Sequence, residues 1–160
     1  MKNKNIIIYI LLTIGCVVTI FWLSSQERAV SSVNSLKILT SVMEFLGKVF
    51  NFSVTKQQIR SMHNLFRKAA HFSVYAVLAV FSYKTFRLIV GEKKRGFGIT
   101  LIFCVLMAIF DELHQLFVPG RSAEVRDVII DTLGACFGLA VVWLSNTGLK
   151  IIRKLTNKKK

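Results

Sequence analysis

Uncharged apolar runs separated by short polar segments dominate the chain. The first run extends from Ile6 to Leu23, and as a helix it would be roughly 27 Å long, which just crosses the hydrocarbon core of a bilayer. Three further runs cover about 69–88, 97–118 and 128–145. The pattern predicts an all-α integral membrane protein whose four transmembrane helices form one membrane domain over residues 6–145.

The segment between the first two runs, residues 24–67, has a different pattern. Its apolar residues recur at helical spacing and predict an amphipathic helix over residues 33–50; the main positions are Leu36, Leu39, Met43, Leu46 and Phe50. The sequence Asn51-Phe52-Ser53 then interrupts the pattern. Thr55, followed three residues later by Gln58, resembles a capping box, and it predicts a helix that could continue into the second span.

The charges indicate how the spans are oriented. The chain has 22 Lys+Arg against 8 Asp+Glu and a formal net charge of +14, a balance that in a soluble protein would suggest nucleic acid. Here the basic residues lie between and after the apolar runs, so we expect no nucleic-acid partner. Lys2, Lys4, the 91–96 turn and the basic tail at 146–160 predict that both termini are cytoplasmic, because positive charge favours that side. The expected protein is a multi-pass plasma-membrane protein with residues 24–67 outside.

Polar residues inside the spans cluster near the predicted outer ends of spans two, three and four. An ionisable group in a span costs about 2.5–3.5 kcal/mol on insertion scales, so such clustering indicates a site. Pro119-Gly120 predicts a tight turn between spans three and four. The predicted ligand-binding site consists of Lys68, His71, Tyr75, Glu112, Gln115, Arg121, Asp127 and Asp131.

Three interpretations of this site remain open at the level of sequence. Arg121 suits contact with a phosphate or carboxylate, which favours binding of an outer-leaflet lipid or a lipid-linked headgroup. An enzyme acting on such a lipid could use His71 as acid, base or nucleophile, with Asp131 or Glu112 orienting it. Alternatively, the same groups could form ion pairs that only hold helix ends together.

Cofactors, partners and helix packing complete the expectations. A histidine with carboxylates could bind a divalent cation, but no fixed-spacing signature such as His-Glu-x-x-His is present, and we expect neither a metal nor another cofactor. The expected partners are membrane lipids, with a lipid-linked envelope precursor or a lipoglycopeptide as further candidates. Gly134 and Gly138 predict close helix packing inside the bundle, with a homo-oligomer seam as the alternative.

Several motifs occur in a fixed order: Arg67-Lys68-Ala69-Ala70-His71-Phe72 followed by Tyr75, then Asp111-Glu112-Leu113-His114-Gln115, Phe117-Val118-Pro119-Gly120-Arg121, and Asp127-Val128-x-x-Asp131-x-x-Gly134. Over roughly residues 6–145 they resemble the VanZ-like family. Val74 departs from that family, many of whose members have an acidic residue before the tyrosine. The resemblance implies a bacterial plasma-membrane protein of the cell envelope, since the founding member is associated with resistance to the lipid-anchored glycopeptide teicoplanin. It implies no particular reaction.

Overall fold

The structure is a computed structural model. The part of the chain that it describes consists of helices joined by short segments. The backbone is described for residues 2–157 and the side chains for residues 5–147. In chain order the helices are α1 (Lys2–Ser24), α2 (Arg28–Phe50), α3 (Lys56–Val90), α4 (Lys93–Gln115) and α5 (Val125–Asn157). The sequence-predicted basic tail continues α5 to Asn157, and its last three residues lie outside the described part.

Four of these helices, α1, α3, α4 and α5, are long and apolar enough to cross a membrane. The prediction of four candidate spans is therefore confirmed. Their lipid-facing sides are apolar: Trp22 on α1, for example, is 65% exposed. Exposed apolar residues on all four helices are expected where the surrounding solvent is lipid.

The second span is part of a much longer helix than its apolar run. α3 has 35 residues, roughly 52 Å at 1.5 Å per residue, whereas a bilayer core is about 30 Å thick. The capping box predicted at its start is confirmed, because the Thr55 side chain accepts from the Gln58 backbone N–H and the Gln58 side chain accepts from the Thr55 backbone N–H. The first turns of α3 therefore extend beyond the span and pack against α2.

The third span ends before its apolar run does. α4 stops at Gln115, although the run continues to Val118. The next backbone N–H groups bond three residues back, with Phe117 donating to His114 at 3.0 Å and Val118 donating to Gln115 at 3.1 Å. Pro119 has no N–H to continue the helix. Gly120 then adopts φ 73°, a left-handed conformation that suits glycine, and the chain turns toward α5.

The helix predicted over residues 33–50 begins five residues earlier, at Arg28. The backbone N–H of Arg28 donates to the carbonyl of Pro119 at 3.4 Å, so a contact with the distant α4–α5 loop supplies an acceptor that local sequence does not reveal. On the predicted apolar stripe, Leu39 is buried whereas Phe50 is 70% exposed. α2 ends where expected, with Asn51 in the left-handed region at φ 54°.

The central helix of the bundle is α3, which packs against each of the other four. Its contact with α5 is especially close because two glycines face it. A Cβ atom on Gly134 would overlap the carbonyl of Phe72, and one on Gly138 would overlap the carbonyl of Ala76. The buried apolar core surrounds this contact and includes Tyr75, Leu78, Ala79, Tyr83, Cys104, Ala108, Ala135 and Leu139.

Candidate functional site

The loop between α4 and α5, residues 116–124, is held against the end of α1 by Arg121. Its Nε donates to the carbonyl of Gln26 at 2.9 Å, and one terminal nitrogen donates to the carbonyl of Leu23 at 3.1 Å. These carbonyls lie at and just after the last turn of α1, where backbone acceptors lack helical partners and a cation is favourable. Arg121 therefore acts as a C-terminal cap for a helix 95 residues away.

The other terminal nitrogen of Arg121 connects it to α4. It donates to Oε1 of Gln115 at 3.2 Å, and Nε2 of Gln115 donates at 3.1 Å both to Asp111 and to Glu112. The second carboxylate oxygen of Glu112 accepts the backbone N–H of Glu124 at 2.7 Å. Glu112 and Gln115 are both buried, so this network holds both ends of the loop on α4.

A second group of polar side chains lies deeper, between α3, α4 and α5. Asp111 and Asp131 are fully buried, and Tyr75 is 1% exposed. His71 Nδ1 lies 3.5 Å from Oδ1 of Asp131, and ligand atoms of His71, Asp111 and Asp131 all lie within 4.8 Å of one another. We call His71, Asp111 and Asp131 the buried triad; its two carboxylates are fully buried and its His71 side chain is 26% exposed.

Several polar atoms in this deeper group have no partner among the described residues. They are the Tyr75 hydroxyl, Oδ1 of Asp111 and both carboxylate oxygens of Asp131. The pair of His71 with Asp131 is too long for a normal charge-assisted hydrogen bond, which is about 2.7–2.9 Å. Buried polar atoms are rarely left unpaired in proteins, so we expect ordered water, an ion or a ligand group to satisfy these four atoms.

A polar cavity of about 180 Å³ opens beside the triad, under the loop. Its charged side chains are mainly cationic: Arg28 from α2, Arg67 and Lys68 from α3, and Arg121 from the loop, with Glu124 and Asp127 opposing them. No ion pair joins Arg28, Arg67 or Lys68 to a carboxylate within residues 5–147. Burial is the main reason that the pKa of Arg121 is lowered from its usual value, and the nearby charges of Arg67 and Arg28 act in the same direction. Arg67 and Arg28 are thus close enough to Arg121 to repel it, whereas the carboxylates of Asp111 and Glu112 act in the opposite direction.

An apolar cavity of about 240 Å³ adjoins the polar one. It lies between α1, α2 and α3, with Ile20, Ile38 and Phe66 among its lining residues. Arg67, His71 and Arg121 line both cavities. A cationic compartment and an apolar compartment therefore meet at these three side chains.

The eight residues proposed from sequence all lie at this end of the bundle, but in different layers. Five line the polar cavity: Lys68, His71, Gln115, Arg121 and Asp127. Tyr75 lines the apolar cavity, whereas Glu112 and Asp131 are buried outside the lining of both. Of the candidate orienting residues for His71, Asp131 contacts it, whereas Glu112 is engaged by Gln115 and Glu124.

Residues of this region that were missing from the sequence-predicted site include Arg28, Asn64, Arg67 and Asp111. Two of them carried a usable signal, since Arg67 precedes Lys68 and Asp111 lies one helical turn before Gln115. Arg28 carried none, because it reaches the cavity only through the packing of α2.

One comparison of the chain with known proteins gave a match. The model of a family described as VanZ/LLP1 matches residues 7–146. This range includes the buried triad, the loop 116–124 and every residue that lines either cavity. No curated protein and no solved structure matches the chain.

Proposed function

The chain belongs to the VanZ/LLP1 family, and we propose that it binds an outer-leaflet lipid or a lipid-linked molecule by its anionic headgroup. The observation that carries this proposal is the junction of a cationic cavity with an apolar one at Arg67, His71 and Arg121. An amphiphile has the same division, with a charged group joined directly to an apolar chain.

The headgroup contacts come from cations that form no ion pair with a carboxylate within residues 5–147. Arg67 and Lys68 are half-buried and adjacent on α3, and Arg28 faces the same cavity from α2. Arg121 uses three of its N–H groups on protein acceptors, which leaves two of its five donors. Its main task is to hold the loop, so in this proposal Arg67 and Lys68 supply most of the attraction for phosphate or carboxylate.

The sidedness of the site is also part of the proposal. α1 ends and α5 begins at the polar end, so Lys2 at the start of α1 and Asn157 at the end of α5 lie toward the other end. With the basic termini in the cytoplasm, as the positive-inside rule favours, the two cavities open to the outer leaflet of the plasma membrane. The available amphiphiles are then outer-leaflet lipids and envelope precursors on lipid carriers.

Retention of lipids by the purified protein tests this function. The wild type in mild detergent is mixed with phosphatidylglycerol, farnesyl phosphate or phosphatidylcholine, and bound lipid is quantified by native mass spectrometry. We expect the two anionic amphiphiles to be retained over phosphatidylcholine, and the double variant Arg67→Ala/Lys68→Ala to bind them at least about tenfold more weakly, since each basic group near an anionic surface contributes about 1 kcal/mol.

The control is Arg126→Ala, which removes an exposed cation close to the loop that lines neither cavity. Equal loss in both variants, or equal retention of all three lipids, would contradict the proposal. A preference between the two anionic probes would separate a phospholipid ligand from a polyprenyl-phosphate carrier.

A role in susceptibility to teicoplanin-type lipoglycopeptides extends the same proposal. Such antibiotics act outside the cell and carry a lipid tail, so a site for anionic amphiphiles on the outer face could affect their target or their access to it. The check is the inhibitory concentration of teicoplanin in a bacterial host that produces the wild type or the Arg67→Ala/Lys68→Ala variant at equal levels. A difference between the two supports the role, and identical values contradict it.

A further inference from the structure

We infer that the buried triad of His71, Asp111 and Asp131 binds a divalent transition-metal ion. This site is separate from the cationic headgroup contacts and does not depend on the proposed function. It differs from the expectation drawn from sequence, which considered a divalent cation but predicted no metal, because Asp111 joins His71 and Asp131 only in the folded bundle.

The first argument is charge. Asp111 and Asp131 are both fully buried in helices that are candidate membrane spans, where carboxylates are costly unless they are paired. Within residues 5–147 neither forms an ion pair with a lysine or arginine, and the only ion-pair contact of either is the 3.5 Å approach of His71 to Asp131. A divalent cation would neutralise both carboxylates at once.

The second argument is the set of unpaired donors. Oδ1 of Asp111 and both oxygens of Asp131 accept no hydrogen bond from the described residues, so they retain lone pairs for a metal. Oδ2 of Asp111 accepts from Gln115 at 3.1 Å, an arrangement that would orient the ligand as outer hydrogen bonds do in known metal sites. Tyr75 is 1% exposed, and its hydroxyl has no hydrogen-bond partner among the described residues. It could donate to a ligand oxygen or to a metal-bound water.

The third argument is distance. One ligand atom from each of the three residues lies within 4.8 Å of the other two. Nitrogen and oxygen ligands bound at about 2.1 Å are separated by at most about 4.2 Å, so small side-chain rotations bring the triad into range. One imidazole and two carboxylates suit zinc or manganese. They suit calcium less, because calcium takes six to eight oxygen ligands.

The position of the triad would bring a bound metal ion close to water or an anionic group in the cavities. His71 lines both cavities, and three protein ligands leave coordination positions for water or an anionic group. A metal held here would therefore stand at the junction of the two cavities.

Metal analysis of the full chain tests the inference. Protein purified in detergent is stripped with chelator, dialysed against Zn²⁺, Mn²⁺, Mg²⁺ or Ca²⁺ in turn, and analysed by inductively coupled plasma mass spectrometry. We expect stoichiometric zinc or manganese, little magnesium or calcium, and at least about tenfold weaker binding after Asp111→Asn or Asp131→Asn. Glu124→Gln is the matched control, because it removes a carboxylate of the polar cavity that lies outside the triad.

A spectroscopic measurement on the wild type keeps the test decisive if the aspartate variants fail to fold. Electron spin echo spectra of the Mn²⁺-loaded protein should show coupling to a histidine nitrogen, and this coupling should disappear in His71→Gln. Absence of stoichiometric zinc or manganese, or manganese without nitrogen coupling, would overturn the inference. The lipid-retention variants leave the triad intact, so the failure of one proposal is distinguishable from the failure of the other.

Discussion

At the polar end of the bundle, charged side chains bond to segments distant in sequence, whereas in the opposite half buried hydroxyls bond mainly within their own helices, and one contact, between Thr13 Oγ1 and Thr85 Oγ1 at 3.2 Å, joins α1 to α3. Arg121 reaches α1 and α4, and Glu112 reaches the backbone of Glu124. In the other half, the hydroxyl of Thr100 donates to the carbonyl of Gly96 at 2.7 Å, and that of Ser82 donates to the carbonyl of Leu78. Each of these hydroxyls finds its acceptor one turn back along its own helix.

The difference shows which parts of the bundle can position chemistry. A hydroxyl satisfied by its own helix makes little demand on its neighbours, so packing in that half depends mainly on shape, with the Thr13–Thr85 contact as the exception. The polar end depends on partners supplied by other helices, and a displaced helix there leaves charged groups unpaired, which is costly. The following substitutions test this contrast, from the largest expected effect to the smallest.

Gly138→Leu should give the largest loss of stability, because packing in the apolar half depends on the close approach of α5 to α3. Its Cβ would overlap the carbonyl of Ala76, which is backbone and cannot rotate away. We expect a loss of about 3 kcal/mol in the free energy of unfolding, at the upper end of overpacking effects. The measurement is unfolding in detergent micelles followed by circular dichroism.

The matched control for that substitution is Gly15→Leu on α1. Gly15 has no atom within 4 Å of an added Cβ, so the same change should cost nothing or add slightly to helix stability. Similar losses in the free energy of unfolding at both positions would show that the α3–α5 contact is not the cause of the loss in Gly138→Leu.

Arg121→Ala should have the next largest effect, and it tests the polar end. The substitution removes hydrogen bonds to Leu23, Gln26 and Gln115 and uncaps α1. Since hydrogen bonds to charged groups contribute about 1.5–3 kcal/mol each before relaxation and the side chain is only partly buried, we expect a net loss of about 2 kcal/mol. Thermal unfolding in detergent measures it, with Arg126→Ala as the exposed control; equal melting temperatures for the two would contradict the capping role.

Ser82→Ala should have the smallest effect, although Ser82 is completely buried. Its hydroxyl donates to the carbonyl of Leu78 in its own helix, a bond that adds little to helix stability, and its other neighbour is the Cys104 thiol on α4, a weak hydrogen-bonding group. We expect a change within about 0.5 kcal/mol, as alanine is also the better helix former. A loss as large as that of Arg121→Ala would show that polar groups in the two halves are equally coupled to other helices.

The sequence predicted those parts of the candidate site whose residues share one helix. His71 and Tyr75, or Glu112 and Gln115, could be placed on a common face from their spacing alone. The role of Arg121 could not be predicted in the same way. Its type suggested a ligand contact, but three of its donors are taken by carbonyl or amide oxygens of the protein.

Sequence by itself determined the four candidate spans and the capping box at Thr55, because apolar length and a three-residue spacing are local properties. The tertiary structure alone decided that α2 begins at Arg28, that Arg121 caps α1, and that Asp111 joins His71 and Asp131. The physical reason is that each of these features is a contact between atoms on different helices. Their distance depends on how the helices pack, and no local pattern encodes it.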